Sequence, residues 1–373
     1  TAVGKYALRV NTTGGSNVAV GATSLDANTT GGTNTAIGAA AMSANTTGSG
    51  NTSLGFNSLA TNTTASNNTA VGYSALLLNA TGTANTAVGK DALEANTGDN
   101  NTAVGLDAMA SNTSGTQNTG IGVGALTANT TGNYSTALGY LAGGANTSGT
   151  EHTFVGYLAG RYTTGSGIDY NTGIGSRALY ANTTGEYNTS VGAYSLNQNT
   201  TASNNTAVGY NSLGVNTTGS QNTAVGRLAL DANTTASSNT AIGNASLTAN
   251  TTGANNTALG DGSLRANTTG SYNTAMGYNA GDTITTGQSN TLMGYETGQA
   301  LTDSESNAFF GMQAGYAATT SDNNTFLGWR AGYANTTGAQ NVAVGAVALD
   351  ANTTASNNTA LGYEALGKAT TGG

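Results

Sequence analysis

Apolar and polar positions recur along this chain with a long, fixed period. Aligned on the Gly of T-A-V-G, it falls into 22 units that begin 1–17, 18–34 and 35–51 and end with 359–373. Nineteen units are 17 residues long, 86–101 has 16, 153–171 has 19 and the last has 15. The consensus is T-A-V-G-x-x-A-L-x-A-N-T-T-G-x-x-N, numbered here as positions 1 to 17. Self-similarity at a short period marks a stacked, quasi-one-dimensional architecture. Seventeen residues are too few for a helix-turn-helix unit of ~34 or a leucine-rich repeat of 20–29, so each unit is one coil. Thr or Val at position 1 and Val, Ile or Leu at position 3 favour a strand, and Asn-Thr-Thr-Gly supplies a turn. The weakly helical Lys90-Asp91-Ala92-Leu93-Glu94-Ala95 is cut off by that punctuation. The pattern predicts an all-β fold: a parallel β-solenoid (β-roll) of 22 coils with a 17-residue repeat, running as one array over 1–373. Coils pairing ~4.8 Å apart would make a rod about 100 Å long.

Three ladders are expected to carry the coil. Position 4 is Gly in all 22 units, including Gly4, Gly72 and Gly209, which calls for a positive φ or a close backbone approach. One glycine per coil is not the pattern of a phosphate loop. Position 17 is Asn in 19 of its 21 occurrences, among them Asn17, Asn68 and Asn205, with Ser135 and His152 as exceptions; stacked amides there can bond from coil to coil. Position 11 is Asn in 17 of 22 units and can cap the turn. Position 8 is Leu or Met in 16 units and Gly in six, namely units 9–10 and 17–20, where position 2 grows to Phe154, Leu292, Phe309 or Phe326 in four of the six. This predicts that positions 2 and 8 exchange volume in a shared core. The two units of odd length outside the last are expected to loop out, around Gly165-Ser166-Gly167-Ile168 in the longer one, without breaking the strand register.

Composition narrows the chemistry. Charged residues make up 7% of the chain against a usual ~25%, and the net charge of −8 leaves no basic patch for nucleic acid. No apolar run approaches the ~18 residues of a membrane span, so no membrane contact is expected of this segment. With no cysteine there is no thiolate nucleophile or thiolate metal site. His152 is the sole histidine and reads as a polar substitute in the Asn ladder, without the partners that catalysis or a metal would need. The carboxylates do not recur at fixed positions as a calcium-binding roll requires. No enzyme activity, cofactor or metal is expected. The Asn-Thr-Thr triplets at Asn11, Asn28, Asn129 and Asn233 match the N-glycosylation acceptor incidentally, as a product of the turn. Aromatic residues at position 5, among them Tyr73, Tyr140, Tyr210, Tyr278 and Trp329, are the candidates for contact with a glycan or another surface, or else they cover coil edges.

The strand T-A-V is small at position 2 and apolar at position 3 in every unit, so both of its faces read as buried. A narrow coil has one inside, and the other face then needs another copy of the chain; a parallel homotrimer is expected. The segment Asn68-Thr69-Ala70-Val71-Gly72 resembles the Asn-Ser-Val-Ala-Ile-Gly core of head repeats in trimeric autotransporter adhesins (the YadA-like head), and the longer N-T-A-V-G-Y-x-A-L-x-x-N-T-T-G is similar to shaft repeats of phage tail fibres and large bacterial surface proteins. The resemblance covers the whole chain and implies a left-handed parallel β-roll, trimerised side by side, in an extracellular attachment fibre. The 17-residue period is longer than the adhesin repeat. Since both ends fall within the repeat, the chain is expected to be a segment of a longer fibre. The expected function is the structural shaft of an extracellular adhesive or attachment filament, on a cell surface or, alternatively, as a phage tail fibre, with itself and a host-surface glycan or receptor as partners. A different class is an ice-binding β-solenoid, since Thr fills position 1 in 19 units. Against it, position 1 reads as buried and positions 12 and 13 lie in a turn.

Overall fold

A computed structural model describes residues 1–165 and 169–370. The strand recurs once per repeat, and each is only three residues long after a first of two: β1 (Ala2–Val3) to β11 (Thr172–Ile174) lie in one compact unit, Thr1–Tyr187, and β12 (Thr189–Val191) to β22 (Thr359–Leu361) in a second, Asn188–Gly373. Within each unit successive strands pair in parallel and in one register, for example Thr69 with Thr86, Ala70 with Ala87 and Val71 with Val88. Positions 5–10, including the stretch from Lys90 to Ala95, form turns and no helix. The fold is therefore a parallel β-solenoid with the 17-residue sequence period as its coil.

The glycine at position 4 meets both requirements that its invariance suggested. Gly4 and Gly209 have φ of +132° and +133°, and in each a Cβ would lie 2.5 Å from the carbonyl oxygen of the equivalent glycine one coil on, Gly21 or Gly226. No L-residue fits that corner. Positions 6, 8 and 16 also adopt the left-handed region, and here with ordinary side chains: Tyr6, Leu8 and Ser16 have φ of 63°, 53° and 58°. Bending through that region twice around position 7 turns the position 8 side chain inward.

The interior of each coil is built from positions 2, 7 and 8. Ala70, Ala75 and Leu76 are fully buried, as are Ala87, Ala92 and Leu93 one coil on. Positions 11 and 17 line it with polar groups. At position 11 the amides bond to one another: Nδ2 of Asn28, Asn45 and Asn62 donates to Oδ1 of Asn11, Asn28 and Asn45 at 2.7, 2.8 and 2.7 Å, and also to a carbonyl of its own turn, as Asn45 does to Gly48 at 3.0 Å. At position 17 the coil-to-coil bonds differ from the expected amide stack, because they run mainly through the backbone. Asn17 Oδ1 accepts from the backbone N–H of Asn34 at 2.8 Å, and Asn17 Nδ2 donates to the Gly31 carbonyl at 2.8 Å. Asn68 and Asn205 repeat this, donating from Nδ2 to Gly82 and Gly219 at 2.9 and 3.0 Å. A third ladder uses position 12, where the Thr hydroxyl donates to the position 12 carbonyl of the next coil, as Thr46 does to Thr63 at 3.0 Å.

The exchange of volume between positions 2 and 8 is present. A Cβ on Gly160, Gly315 or Gly332 would run into the ring of Phe154, Phe309 or Phe326 of its own coil. Unit 9 keeps Ala137 at position 2, and there Gly143 faces Phe154 of the next coil and Leu126 of the one before, each at 2.9 Å from a Cβ. In unit 17, Gly281 faces Leu292 and Leu264 of its two neighbours and also Ile284 at position 11 of its own coil. Where position 11 turns apolar, as at Ile284 and Leu301, it fills core space as well.

Both odd-length coils keep the register. Strand Thr86–Val88 pairs Thr86 with Thr102 across the 16-residue coil, and Thr153–Val155 pairs Thr153 with Thr172 across the 19-residue coil. Of the extra residues in the latter, 166–168 lie outside the described residues.

Candidate functional site

Strand alternation fixes what each unit presents outward. Position 2 points in, so positions 1 and 3 share the outer face. Position 1 is half-buried to exposed in the chain by itself, with Thr52, Thr136 and Thr257 exposed. Position 3 is half-exposed although apolar: Leu54 and Leu138 are each 46% accessible and Leu327 48%. Each unit thus carries an outward row of Thr beside an outward row of Val, Ile, Leu, Met or Phe.

At the next corner, beyond the invariant glycine, stand the position 5 aromatics. Their side chains are exposed and stack coil on coil: Tyr73 on Phe56 with centroids 5.5 Å apart, Tyr140 on Tyr157 at 5.6 Å, and Tyr278 on Tyr295 at 5.4 Å. Tyr210 meets Tyr194 edge-on at 6.1 Å. Lys90 lies over the Tyr73 ring, 5.8 Å from its centroid. Within these stacked pairs one face of each ring is therefore covered by its neighbour. Trp329 differs. No ring stacks on it among the described residues, and its neighbour along the row is Ala346. The guanidinium of Arg330 stands 5.7 Å from the Trp329 ring and 4.0 Å from that of Tyr333, and reaches Asp350 at 3.4 Å.

His152 has a partner that sequence spacing concealed. Its Nε2 lies 3.3 Å from Oδ2 of Asp169, and its ring stacks on Phe154 at 5.0 Å. His152 and Asp169 are buried, and Gly149 closes over both. The pair stands in the ladder, where the backbone N–H of His152 donates to Ser135 Oγ at 3.3 Å, and it has no opening for a substrate. Among the described residues no group of three or more His, Asp or Glu gathers around a point that could hold a metal, and no helix is long and apolar enough to cross a membrane.

The ladder also decides the fate of the Asn-Thr-Thr acceptors. Asn28 is buried and its Nδ2 donates both to Asn11 Oδ1 at 2.7 Å and to Gly31 at 2.9 Å. Asn129 and Asn233 are held in the same way, so the folded coil leaves no amide hydrogen there for a glycan. No family model matches this chain, and no curated protein matches it in sequence.

Proposed function

We propose that this chain is the structural shaft of an extracellular attachment fibre, in which copies pack side by side as a homotrimer. The observation that carries the reading is the outward row at position 3, apolar in every coil and half-exposed in the single chain. Eleven coils spaced ~4.8 Å apart, each with three strand residues of ~3.3 Å, give each unit an outer face of about 500 Å². The outer faces of the two units together supply about 1,000 Å², the scale of a specific interface at about 800 Å² per partner. The ladders suit a shaft, since within each unit most coils are held to the next by the same kinds of bond. A cell-surface adhesin and a phage tail fibre both use such a shaft. Light scattering on the purified chain tests the packing: the expected mass is three chains, and a stable folded monomer at micromolar concentration would sink it. Adhesion of the labelled chain to cells tests the attachment role.

Ice binding remains a second reading because position 1 faces outward. Its Thr side chains form a row along each unit, whereas the position 12 hydroxyls are engaged with backbone carbonyls. Thermal hysteresis with faceted crystals would support it, and growth of ordinary ice at the melting point would end it.

A further inference from the structure

The position 5 row contains one interruption of particular shape. Along successive coils it reads Tyr278, Tyr295, Met312, Trp329, Ala346, Tyr363. Trp329 and Tyr363 are exposed, at 48% and 72%, and the methyl of Ala346 alone stands between them. The backbones are in register here: Val344 pairs with Leu361 two residues before Tyr363, and Val347 N–H donates to the Trp329 carbonyl at 2.9 Å. Two coil steps of ~4.8 Å put the two aromatic side chains about 10 Å apart. A puckered six-membered ring with carbon contacts of about 3.5–4.0 Å on each face takes up about 8 Å, so such a slot admits one ring.

We propose that Trp329 and Tyr363 form a clamp for one ring of a neutral saccharide, with Ala346 as its floor. This rests on the attachment reading and names the ligand class that such a fibre would grip. The polar groups beside the slot match hydroxyls. Arg330 offers guanidinium donors and Asp350 carboxylate acceptors; both are partly exposed, and their one mutual contact is long at 3.4 Å. Glu364 adds a second carboxylate, bonded to the Tyr363 hydroxyl, whose proton it holds more tightly than usual. Asp350 and Glu364 share their surroundings with Lys368 as well as Arg330, so it is the net charge of −8 on the chain that disfavours acidic sugars. Where rings follow one another in the row, as with Tyr140 and Tyr157, they stack directly; here Ala346 between two rings leaves a slot.

Trp329 is the sole tryptophan, so intrinsic indole emission reports this site alone. Titration of the whole chain with maltohexaose, cellohexaose and mannohexaose should give a saturable change with at least one of them. Ala346→Tyr fills the slot while extending a stack that other coils already contain; it should abolish the response and leave the thermal melt and the particle mass unchanged. Tyr363→Ala removes one side of the clamp and should weaken binding at least about tenfold. Absence of saturable change with all three sugars, an undiminished response in Ala346→Tyr, or tighter binding of sialyl or glucuronyl oligosaccharides would overturn the proposal. An emission shift that follows protein concentration without sugar would also overturn it, since a second copy would then occupy the slot. The shaft reading stands or falls separately, on the particle mass.

Discussion

Coils 86–101 and 325–341 contain the same corner and the same strand pairing but fill their interiors from opposite sides. In the first, Leu93 at position 8 supplies the bulk from a residue held at φ 51°, and Ala87 opposite it is small. In the second, Phe326 supplies it from the strand, and Gly332 occupies the left-handed position. The Leu coil accepts about 1 kcal/mol or more of backbone strain at position 8; the Phe coil places glycine where glycine is most at ease and a large ring where strand geometry favours aromatics. The fold fixes the volume between the two positions and leaves open which of them provides it.

The largest effect should come from what the two coils share. Gly89→Ala and Gly328→Ala should each destabilise by about 3–5 kcal/mol, because either Cβ meets the backbone of the next coil at a φ near +140°. Urea denaturation would measure it, and a tolerant corner in either coil would break the equivalence. Next comes the exchange itself. Leu93→Gly should cost about 2–4 kcal/mol, less than the cavity alone because the left-handed strain is released. Adding Ala87→Phe or Ala103→Phe should recover part of the loss; if both double variants are only the sum of two damaging changes, the two positions do not share a core.

Sharper still is position 11, which is polar in the Leu coils and apolar at Ile284 and Leu301. Asn45→Leu should cost about 2–3 kcal/mol, since it leaves Asn62 Nδ2 without its amide acceptor. Leu301→Asn should cost a similar amount by burying an amide between Ala318 and Ile284, and the two losses can be compared by thermal melts. Charge should matter least. Exposed pairs such as Arg9 with Asp26 contribute ~0–1 kcal/mol, so Tm should move by less than about 5 °C between low and high salt. Asp282 in unit 17 gives a small pH signature. Burial raises its pKa against the opposing pull of Arg265, 2.8 Å away. The folded state then holds that proton more tightly than the unfolded chain, so this group's contribution to stability rises as pH falls from its folded pKa through the ordinary carboxylate value. Denaturation of the Asp282→Asn variant from pH 7 to pH 3 should lack that rise.

The coil period, the strand at positions 1–3, the glycine corner and the paired changes at positions 2 and 8 were all legible, because repetition turns one chain into an alignment of 22 copies. The left-handed residues at positions 6 and 8 were not. Leucine there reads as a helix former or strand core, and no local signal shows that the path between two fixed strands forces it to φ near 50°. Asp169 escaped notice as the partner of His152 because an insertion carries it off the repeat; its placement follows from the path of the longer coil. Ala346 drew no attention since alanine is ordinary at position 5, and it matters only between Trp329 and Tyr363.

The bonds between coils have a consequence for how the chain acquires its structure. Backbone groups of one coil find their partners about 17 residues away, as Gly72 N–H does at the Leu54 carbonyl and Thr69 N–H at that of Asn85. Each new coil therefore closes a loop of the same short length however many precede it, and the entropic toll of closure does not grow with the chain. Growth by addition needs one nucleus and then proceeds at a constant step. A ribosome delivering ~5–20 residues per second releases one coil every few seconds or less. Each can settle on its predecessor before the next has emerged.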